Sequence, residues 1–263
     1  MIAGLPPTRL RRTGQQWGIP VALLVLAVAL WEVVVRLTST PVWFLPPPSA
    51  VVGTLVRNWQ LIGGNTLVTL EEVLVGFGLS FVFGVAVAVA IAYSPIVERA
   101  IYPLVIASQA VPIIALAPIL LIWFGYGLTP KVIVVILICF FPIAVNTVDG
   151  LRAADPELVD LLRSMGAGSW TSFRTVRLPA ALPYLFSGTR IAAAVSVIGA
   201  LIGEWVGSSA GLGYFMIRSA SQFNTARVFA AVLVSAVLGV LLFVAVALLE
   251  RWLLPWQRAP RSG

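Results

Sequence analysis

The sequence DPELVDLLRSMGAGSWTSFRTVRLP, residues 155–179, is a polar segment inside an otherwise apolar chain. Its first part predicts a short helix with clear ends. Asp155 suits the N-cap, Pro156 suits the first helical position, and Gly166 suits the left-handed residue that closes a helix. We therefore expect a helix of about two to three turns that starts after Asp155 and ends before Gly166.

This helix is amphipathic. Apolar residues at spacing i, i+3, i+4 and i+7 form a stripe on one face, and polar residues occupy the other face. The stripe consists of Leu158, Leu161, Leu162 and Met165, and the polar residues are Glu157, Asp160, Arg163 and Ser164. Because so short a helix is unstable alone, the stripe must pack on something. That surface is either a partner protein or the helix ends of the same chain.

Composition places the rest of the chain in a lipid bilayer. The 263 residues are 60% hydrophobic and 10% charged, with a mean hydropathy of +1.01, so one soluble core cannot bury their apolar surface. Membrane-spanning helices need about 20 apolar residues each. Six segments qualify, at residues 18–36, 72–93, 103–124, 131–148, 190–207 and 228–250. The predicted fold is an all-α integral membrane protein with six transmembrane helices.

The distribution of arginine predicts the orientation, because cytoplasmic loops of membrane proteins are rich in basic residues. With both termini in the cytoplasm, 12 of the 17 basic residues lie on that side, and so does the 155–179 segment. The predicted order is a cytoplasmic tail (1–17), the first span with an external amphipathic helix ending at Gly63 and Gly64 (18–63), a core (64–250) with a cytoplasmic loop (149–189), and a second cytoplasmic tail (251–263).

Several kinds of chemistry are excluded by residue types. The chain has no histidine and one cysteine, Cys139, so it cannot build a zinc cluster, a disulfide or a Cys–His nucleophile. A phosphate-binding loop needs Gly-Lys-Ser/Thr, but Lys131 follows Pro130. We therefore expect no cofactor, no metal and no ATP site on this chain. An intramembrane hydrolase is the weakest alternative, because Ser80, Ser196 and Ser235 have no histidine to activate them.

Small residues and prolines mark special positions in the spans. Two small-residue faces predict close helix packing, within the chain or across a dimer. They are Gly76, Ser80, Gly84 and Ala88 in the second span, and Gly199, Gly203 and Gly207 in the fifth. Prolines predict bends at Pro112, Pro118 and Pro142. Gln109, Pro112, Asn146 and Glu204 are candidates for a translocation path, although Glu204 is expected to be solvated near the membrane surface.

The second half of the polar segment resembles the cytoplasmic signature of permease subunits of binding-protein-dependent ABC importers. That signature is Glu-Ala-Ala, three residues, Gly, nine residues, Ile, any residue, Leu-Pro. Here Gly166 is followed after nine residues by Val176, Arg177, Leu178 and Pro179, with Asp160-Leu161-Leu162 in place of Glu-Ala-Ala. LPPPSAVV (45–52), LIWFGYG (121–127) and FFPIAVNTVDGLRAADPEL (140–158) are similar to the nitrate, taurine, sulfonate and pyrimidine-precursor branch.

This resemblance implies a type I importer permease in the bacterial inner membrane that forms a pore for a small organic solute. Its implied partners are an ATPase subunit in two copies, an external solute-binding protein, and a second permease subunit in a homodimer. The residues that would dock on the ATPase are Glu157, Leu158, Asp160, Leu161, Leu162, Arg163, Met165 and Gly166. The implied substrate is hydroxymethylpyrimidine or another thiamine precursor; nitrate, taurine or an alkanesulfonate are alternatives. A different class, an ion-coupled secondary transporter, remains an alternative that would need buried acidic residues in the spans.

Overall fold

The computed structural model describes the backbone of residues 9–258 and the side chains of residues 18–256. The predicted tails, 1–17 and 251–263, therefore lie partly outside the described residues. The described chain is helical, without β-strands. The α-helices are α1 (Arg9–Leu37), α2 (Pro48–Arg57), α3 (Trp59–Tyr93), α4 (Pro95–Ser108), α5 (Ile113–Phe124), α6 (Leu128–Arg152), α7 (Pro156–Ser164), α8 (Ser169–Ser172), α9 (Leu178–Gly207), α10 (Leu212–Ser221) and α11 (Thr225–Leu253).

Five described stretches are long and apolar enough to cross a membrane: Gly18–Leu37 in α1, Trp59–Tyr93, Leu128–Arg152, Ser169–Gly207 and Thr225–Leu253. The bent pair of α4 and α5 makes six if it counts as one crossing. These stretches contain five of the six predicted spans, and the α4–α5 pair covers the remaining one. The prediction of an all-helical membrane protein is therefore confirmed, with five crossings, or six if the bent pair is one of them.

The third predicted span is not one continuous helix. Helix α4 ends at Ser108, and α5 starts after Pro112 at an angle of 102° to it. Pro112 has no N–H to continue the helix, and its ring disfavours helical backbone at the preceding residue. The bend predicted at Pro112 is thus confirmed. No break occurs at Pro118 or Pro142, which lie inside α5 and α6.

The amphipathic helix before the second span ends earlier than predicted. Helix α2 stops at Arg57, because Asn58 leaves helical geometry and both its backbone N–H and its side-chain amide donate to the Thr54 carbonyl (3.0 and 2.9 Å). Gly63 and Gly64 therefore do not end a helix; they lie inside α3. Helix α10 was not predicted, because residues 208–224 carry no long apolar run.

The described chain divides into two compact units. The first comprises Met1–Trp59 and Arg218–Ala230. Within it, the Glu32 carboxylate of α1 binds the start of α2, accepting from the Ser49 backbone N–H (3.0 Å) and hydroxyl (2.8 Å). Arg36 also donates to Glu32 (2.6 Å). The rings of Trp31 and Phe229 lie 5.6 Å apart. A carboxylate thus caps the N-terminus of α2, where the helix dipole favours negative charge.

The second unit, Gln60–Ile217 and Ala231–Gly263, is built around α6. Helices α6 and α9 run antiparallel in close contact, and α3 lies parallel to α6. Glycines permit this approach: a Cβ at Gly199 would lie 3.1 Å from Val135, and one at Gly84 would lie 2.9 Å from Ile143. The buried core lies where the three helices meet, and it includes Val73, Val135, Cys139, Ile143, Ala192, Val197 and Ala200.

Candidate functional site

The 155–179 segment connects the end of α6 directly to the start of α9, and its first part is helix α7. Asp155 caps α7 by accepting from the Glu157 backbone N–H (2.9 Å), and Pro156 is the first helical residue. At the other end Gly166 has φ +82°, which lets the Ala167 N–H donate to the Leu162 carbonyl (2.9 Å). Both ends therefore form as the sequence predicts.

The positive φ of Gly166 gives a direct test of this geometry. We expect Gly166→Ala to destabilise the end of α7 by about 1 kcal/mol, because a Cβ is unfavourable in left-handed backbone. Gly168→Ala is the matched control, since Gly168 has φ −71° and neither glycine has an atom near its missing Cβ. Amide exchange in α7 should become about fivefold faster in Gly166→Ala only. Equal rates in both variants would contradict this role for Gly166.

Helix α7 packs against the rest of the second unit through one buried residue, Val159, which sequence reasoning missed. Val159 is 5% exposed and lies on the inner side of the helix. Leu158, Leu161 and Met165 are 49%, 56% and 75% exposed, and Leu162 is half-buried. The hypothesis that the stripe folds back onto the chain's own helix ends is therefore wrong for those three residues. An exposed apolar stripe on an anchored helix is typical of a docking surface.

Polar residues surround this stripe. Arg163 donates to Asp160 (3.3 Å) in an exposed ion pair, one turn along the helix, and Glu157 is exposed in the first turn. Such a pair contributes little to stability in water, about 0.5 kcal/mol or less. The face therefore combines an apolar centre with charged edges that can select a partner.

The remainder of the 155–179 segment is attached more firmly. A turn of π-helix, Phe173–Arg177, leads into α9. Phe173 is buried with Leu151 and Ala181, and its ring stacks on Trp170 at 5.5 Å. The signature residues Val176 and Pro179 are half-buried and Leu178 is 36% exposed. They lie where the segment enters α9, so they do not extend the exposed stripe of α7.

A cavity of about 250 Å³ lies beneath α7. Its lining includes Val159 and Arg163 of α7, together with Tyr93, Glu98 and Arg177. Glu98 also pairs with Arg152 at the end of α6. The space between α7 and the helices beneath it is therefore partly open and lined by polar side chains, and it is not a closely packed apolar core.

The candidates for a translocation path are not brought together. Gln109 is exposed at the bend between α4 and α5, next to Pro112. Asn146 lies inside α6 and donates to the Pro142 carbonyl (2.7 Å). Glu204 lies at the level of Lys131, about 22 Å along α6 from Asn146. The expectation that Glu204 is solvated is wrong, because it is 1% exposed.

The small-residue faces contact neighbouring helices within the chain. Gly76, Ser80 and Gly84 face α6, and Ala88 is buried beside Val148. The Ser80 hydroxyl donates to the Gly76 carbonyl of its own helix (2.7 Å) and to the Ile136 carbonyl of α6 (3.4 Å). On α9, a Cβ at Gly203 would lie 3.0 Å from Lys131, and one at Gly207 would lie 2.6 Å from Leu121 of α5.

The sequence reasoning missed a group of buried charged residues that the three core helices share. Lys131 of α6 donates to Glu72 of α3 (2.6 Å), with 8% and 1% of these residues exposed. Glu204 of α9 accepts from the Thr69 hydroxyl (2.6 Å) and the Gly213 backbone N–H (2.5 Å). A usable signal existed: the only lysine of the chain and two acids, Glu72 and Glu204, lie inside strongly apolar helices.

Comparison with known proteins identifies the family of this chain. Residues 80–255 match the family described as binding-protein-dependent transport system inner membrane component. The formylaminopyrimidine transport permease protein ThiX of Halalkalibacterium halodurans is 39% identical over 91% of this chain and 96% of its own. The riboflavin transport system permease protein RibX of Chloroflexus aurantiacus is 38% identical over 91% of this chain and 90% of its own.

A solved structure agrees in fold. The inward-facing methionine ABC transporter MetNI superposes with a TM-score of 0.64 at 23% identity, over 74% of this chain and 96% of the solved chain. At that identity the likeness concerns the fold alone, but it places the helices of this chain in a type I importer arrangement. The chain belongs to the inner-membrane permease subunits of binding-protein-dependent ABC importers.

Proposed function

We propose that this permease forms the pore for a small heteroaromatic solute that contains a pyrimidine ring, such as hydroxymethylpyrimidine or another thiamine precursor. The support is the chemistry in the names of its relatives. Two of these relatives are permeases for formylaminopyrimidine and for riboflavin, whose ring system includes a fused pyrimidine, while others are permeases for aliphatic sulfonates and taurine. Nitrate, taurine and alkanesulfonates are small anions without such a ring, and they are the alternative substrates.

The observation that carries the proposed mechanism is the exposure of the α7 stripe. Leu158, Leu161 and Met165 present apolar surface to solvent. Val159 is the only buried residue of α7, so it anchors the helix to the rest of the chain. We propose that this surface docks on an ATPase subunit, which supplies the energy that this chain has no site to obtain from ATP. Two such subunits would serve two copies of the permease in a homodimer.

The arginine asymmetry supports a topology with both termini in the cytoplasm, which places α7 on the ATPase side of the membrane. A cysteine replacing the exposed Ser164 should react with a membrane-impermeant maleimide only after cells are permeabilised. The matched control is a cysteine at Gln222, an exposed residue that this topology places outside, and it should react in intact cells. The buried Cys139 should stay silent in both cases. Labelling of Ser164→Cys in intact cells would reverse the topology.

Reconstitution tests the function as a whole. Proteoliposomes containing the permease with its ATPase, supplied with its solute-binding protein, should take up radiolabelled hydroxymethylpyrimidine only when ATP is present on the ATPase side. Taurine and nitrate should neither be taken up nor compete. Uptake that persists without ATP and stops when an ion gradient is dissipated would instead favour a secondary transporter. Uptake of taurine would retain the importer assignment and refute the substrate class.

A further inference from the structure

The buried charged residues of α3, α6 and α9 lie close together in a group that we name the polar joint: Thr69, Glu72, Lys131, Glu204 and the backbone N–H of Gly213. Lys131 bonds to Glu72, and Glu204 bonds to Thr69 and Gly213. Its three ionisable residues are at most 8% exposed. Charged groups inside a membrane protein cost free energy even when paired, and apolar residues of similar size pack as well or better. Close packing of three helices alone therefore does not explain why this site is charged.

The polar joint also binds the backbone of residues 211–213, at the start of α10. Three consecutive backbone N–H groups donate to side chains of α3 and α9: Gly211 to Asn65 (2.8 Å), Leu212 to Thr69 (2.9 Å) and Gly213 to Glu204 (2.5 Å). These are N–H groups at the N-terminus of α10, where a carboxylate is favoured by the helix dipole. Glu204 thus caps a helix that follows it in the chain.

Two glycines are required by this arrangement. Gly211 has φ +108°, and a Cβ there would overlap the Glu204 carboxylate. A Cβ at Gly213 would lie 2.7 Å from the Leu201 carbonyl and 3.0 Å from Glu204. The sequence Gly211-Leu212-Gly213 therefore fits directly against the Glu204 carboxylate, and a side chain at either glycine would displace the start of α10 from α9.

The joint lies at the far ends of the helices that carry the 155–179 segment. Lys131 is near the start of α6 and Glu204 near the end of α9. The distance from Lys131 to the end of α6 at Arg152 is about 30 Å, which is the thickness of the hydrocarbon core of a bilayer. Between the two ends, α6 and α9 pack closely at Gly150, Gly188, Gly199 and Gly203. A displacement at α7 is therefore transmitted to the joint through rigid, packed helices.

We propose that Glu72, Lys131 and Glu204 are positioning residues that fix residues 208–213 and the first turn of α10 to α3, α6 and α9, so that this segment moves with the helices that α7 drives. This inference rests on the proposed docking of α7 on an ATPase. Loss of the joint should leave the permease folded and bound to the ATPase. It should lower the amount of solute moved per ATP hydrolysed.

Glu204→Gln is the first test, because glutamine keeps the size of the side chain and removes its charge. We expect unchanged ATPase co-purification and about a tenfold fall in solute transported per ATP hydrolysed, within the usual range of coupling between sites. Glu71→Gln is the matched control, since Glu71 is the exposed neighbour of the buried Glu72, and it should behave as the wild type. Wild-type coupling in Glu204→Gln would overturn the proposal.

A double replacement separates positioning from stability. Glu72→Met alone leaves Lys131 buried without a partner, so the melting temperature of the purified permease should fall. Glu72→Met combined with Lys131→Met should restore it, because two apolar residues then replace the pair. We expect the coupling of the double variant to remain low. Recovery of both the melting temperature and the coupling would show that the pair serves packing only and would overturn the proposal.

The position of residues 208–213 can be measured without any partner. A spin label on a cysteine at the exposed Ser209, in a Cys139→Ala background, should be immobile in the otherwise unchanged chain and mobile in Glu204→Gln. Equal mobility in both would refute the joint itself. If the wild-type permease neither binds the ATPase nor transports, the proposed function fails, while the label still reports whether the joint fixes this segment.

Discussion

Leu161→Asp should abolish ATP-driven transport and ATPase co-purification while leaving the permease inserted in the membrane. Leu161 is 56% exposed at the centre of the α7 stripe, so it contributes little to the fold of the isolated chain. Burying a leucine in an interface contributes about 2 kcal/mol, and a buried, unpaired carboxylate costs several kcal/mol more. The affinity for the ATPase should therefore fall by at least about 100-fold.

The control for this variant is Ser164→Asp, which adds the same charge on the same helix but away from the stripe. Its affinity for the ATPase should stay within about fivefold of the wild type. This small loss reflects the unfavourable position of an acid near a helix C-terminus. Pull-down from detergent and uptake by proteoliposomes would measure both variants. Wild-type co-purification of Leu161→Asp would place the ATPase contact on another face of the loop.

Gly188→Ala should clearly lower the stability of the permease. Gly188 of α9 lies against α6, where a Cβ would overlap the Pro142 carbonyl and approach the Asn146 Cβ to 2.8 Å. Both obstacles lie on or next to the backbone of α6, so they cannot move aside as a long side chain can. We expect a loss of about 1–3 kcal/mol and a clearly lower melting temperature in detergent, because a packed interface resists the added methyl group.

Gly78→Ala on α3 is the matched control and should change stability in the opposite direction. Gly78 is exposed, with no atom within 4 Å of the missing Cβ, and alanine is favoured over glycine inside a helix by up to about 1 kcal/mol. Fluorescence-detected size-exclusion after heating would compare the two variants at equal expression. A similar fall for Gly78→Ala would mean that glycine content, not the α6–α9 contact, limits stability.

Local signals predicted the parts of the molecule that depend on local structure. Asp155, Pro156 and Gly166 define both ends of α7 through bonds within a few residues, so the sequence was sufficient there. Runs of apolar residues likewise predicted the crossings, since a bilayer demands length and hydropathy more than a particular partner. Val159 was missed because its burial depends on where the 155–179 segment lies against the ends of other helices.

Contacts between distant parts of the chain could not be predicted in the same way. Glu72 and Lys131 are 59 residues apart, and Thr69 and Glu204 are 135 apart, so no spacing rule brings them together. Glu72 and Glu204 are also buried acids, the residue type that the alternative of an ion-coupled transporter requires in its spans. Their carboxylates bind Lys131 and the start of α10, which differs from the accessible carboxylates that an ion-coupled transporter needs.

The connection of α7 to both α6 and α9 has a mechanical consequence. The 155–179 segment is the bend of a long, stiff hairpin, so force applied at the bend acts on both legs at once. The 25 residues of α6 give a lever arm of about 37 Å. A rocking motion of only about 10° at the base would sweep the opposite tips through about 6 Å, close to the width of a single aromatic ring. If α7 docks on an ATPase as proposed, a modest closure at one membrane surface would thus produce an opening of molecular size at the other.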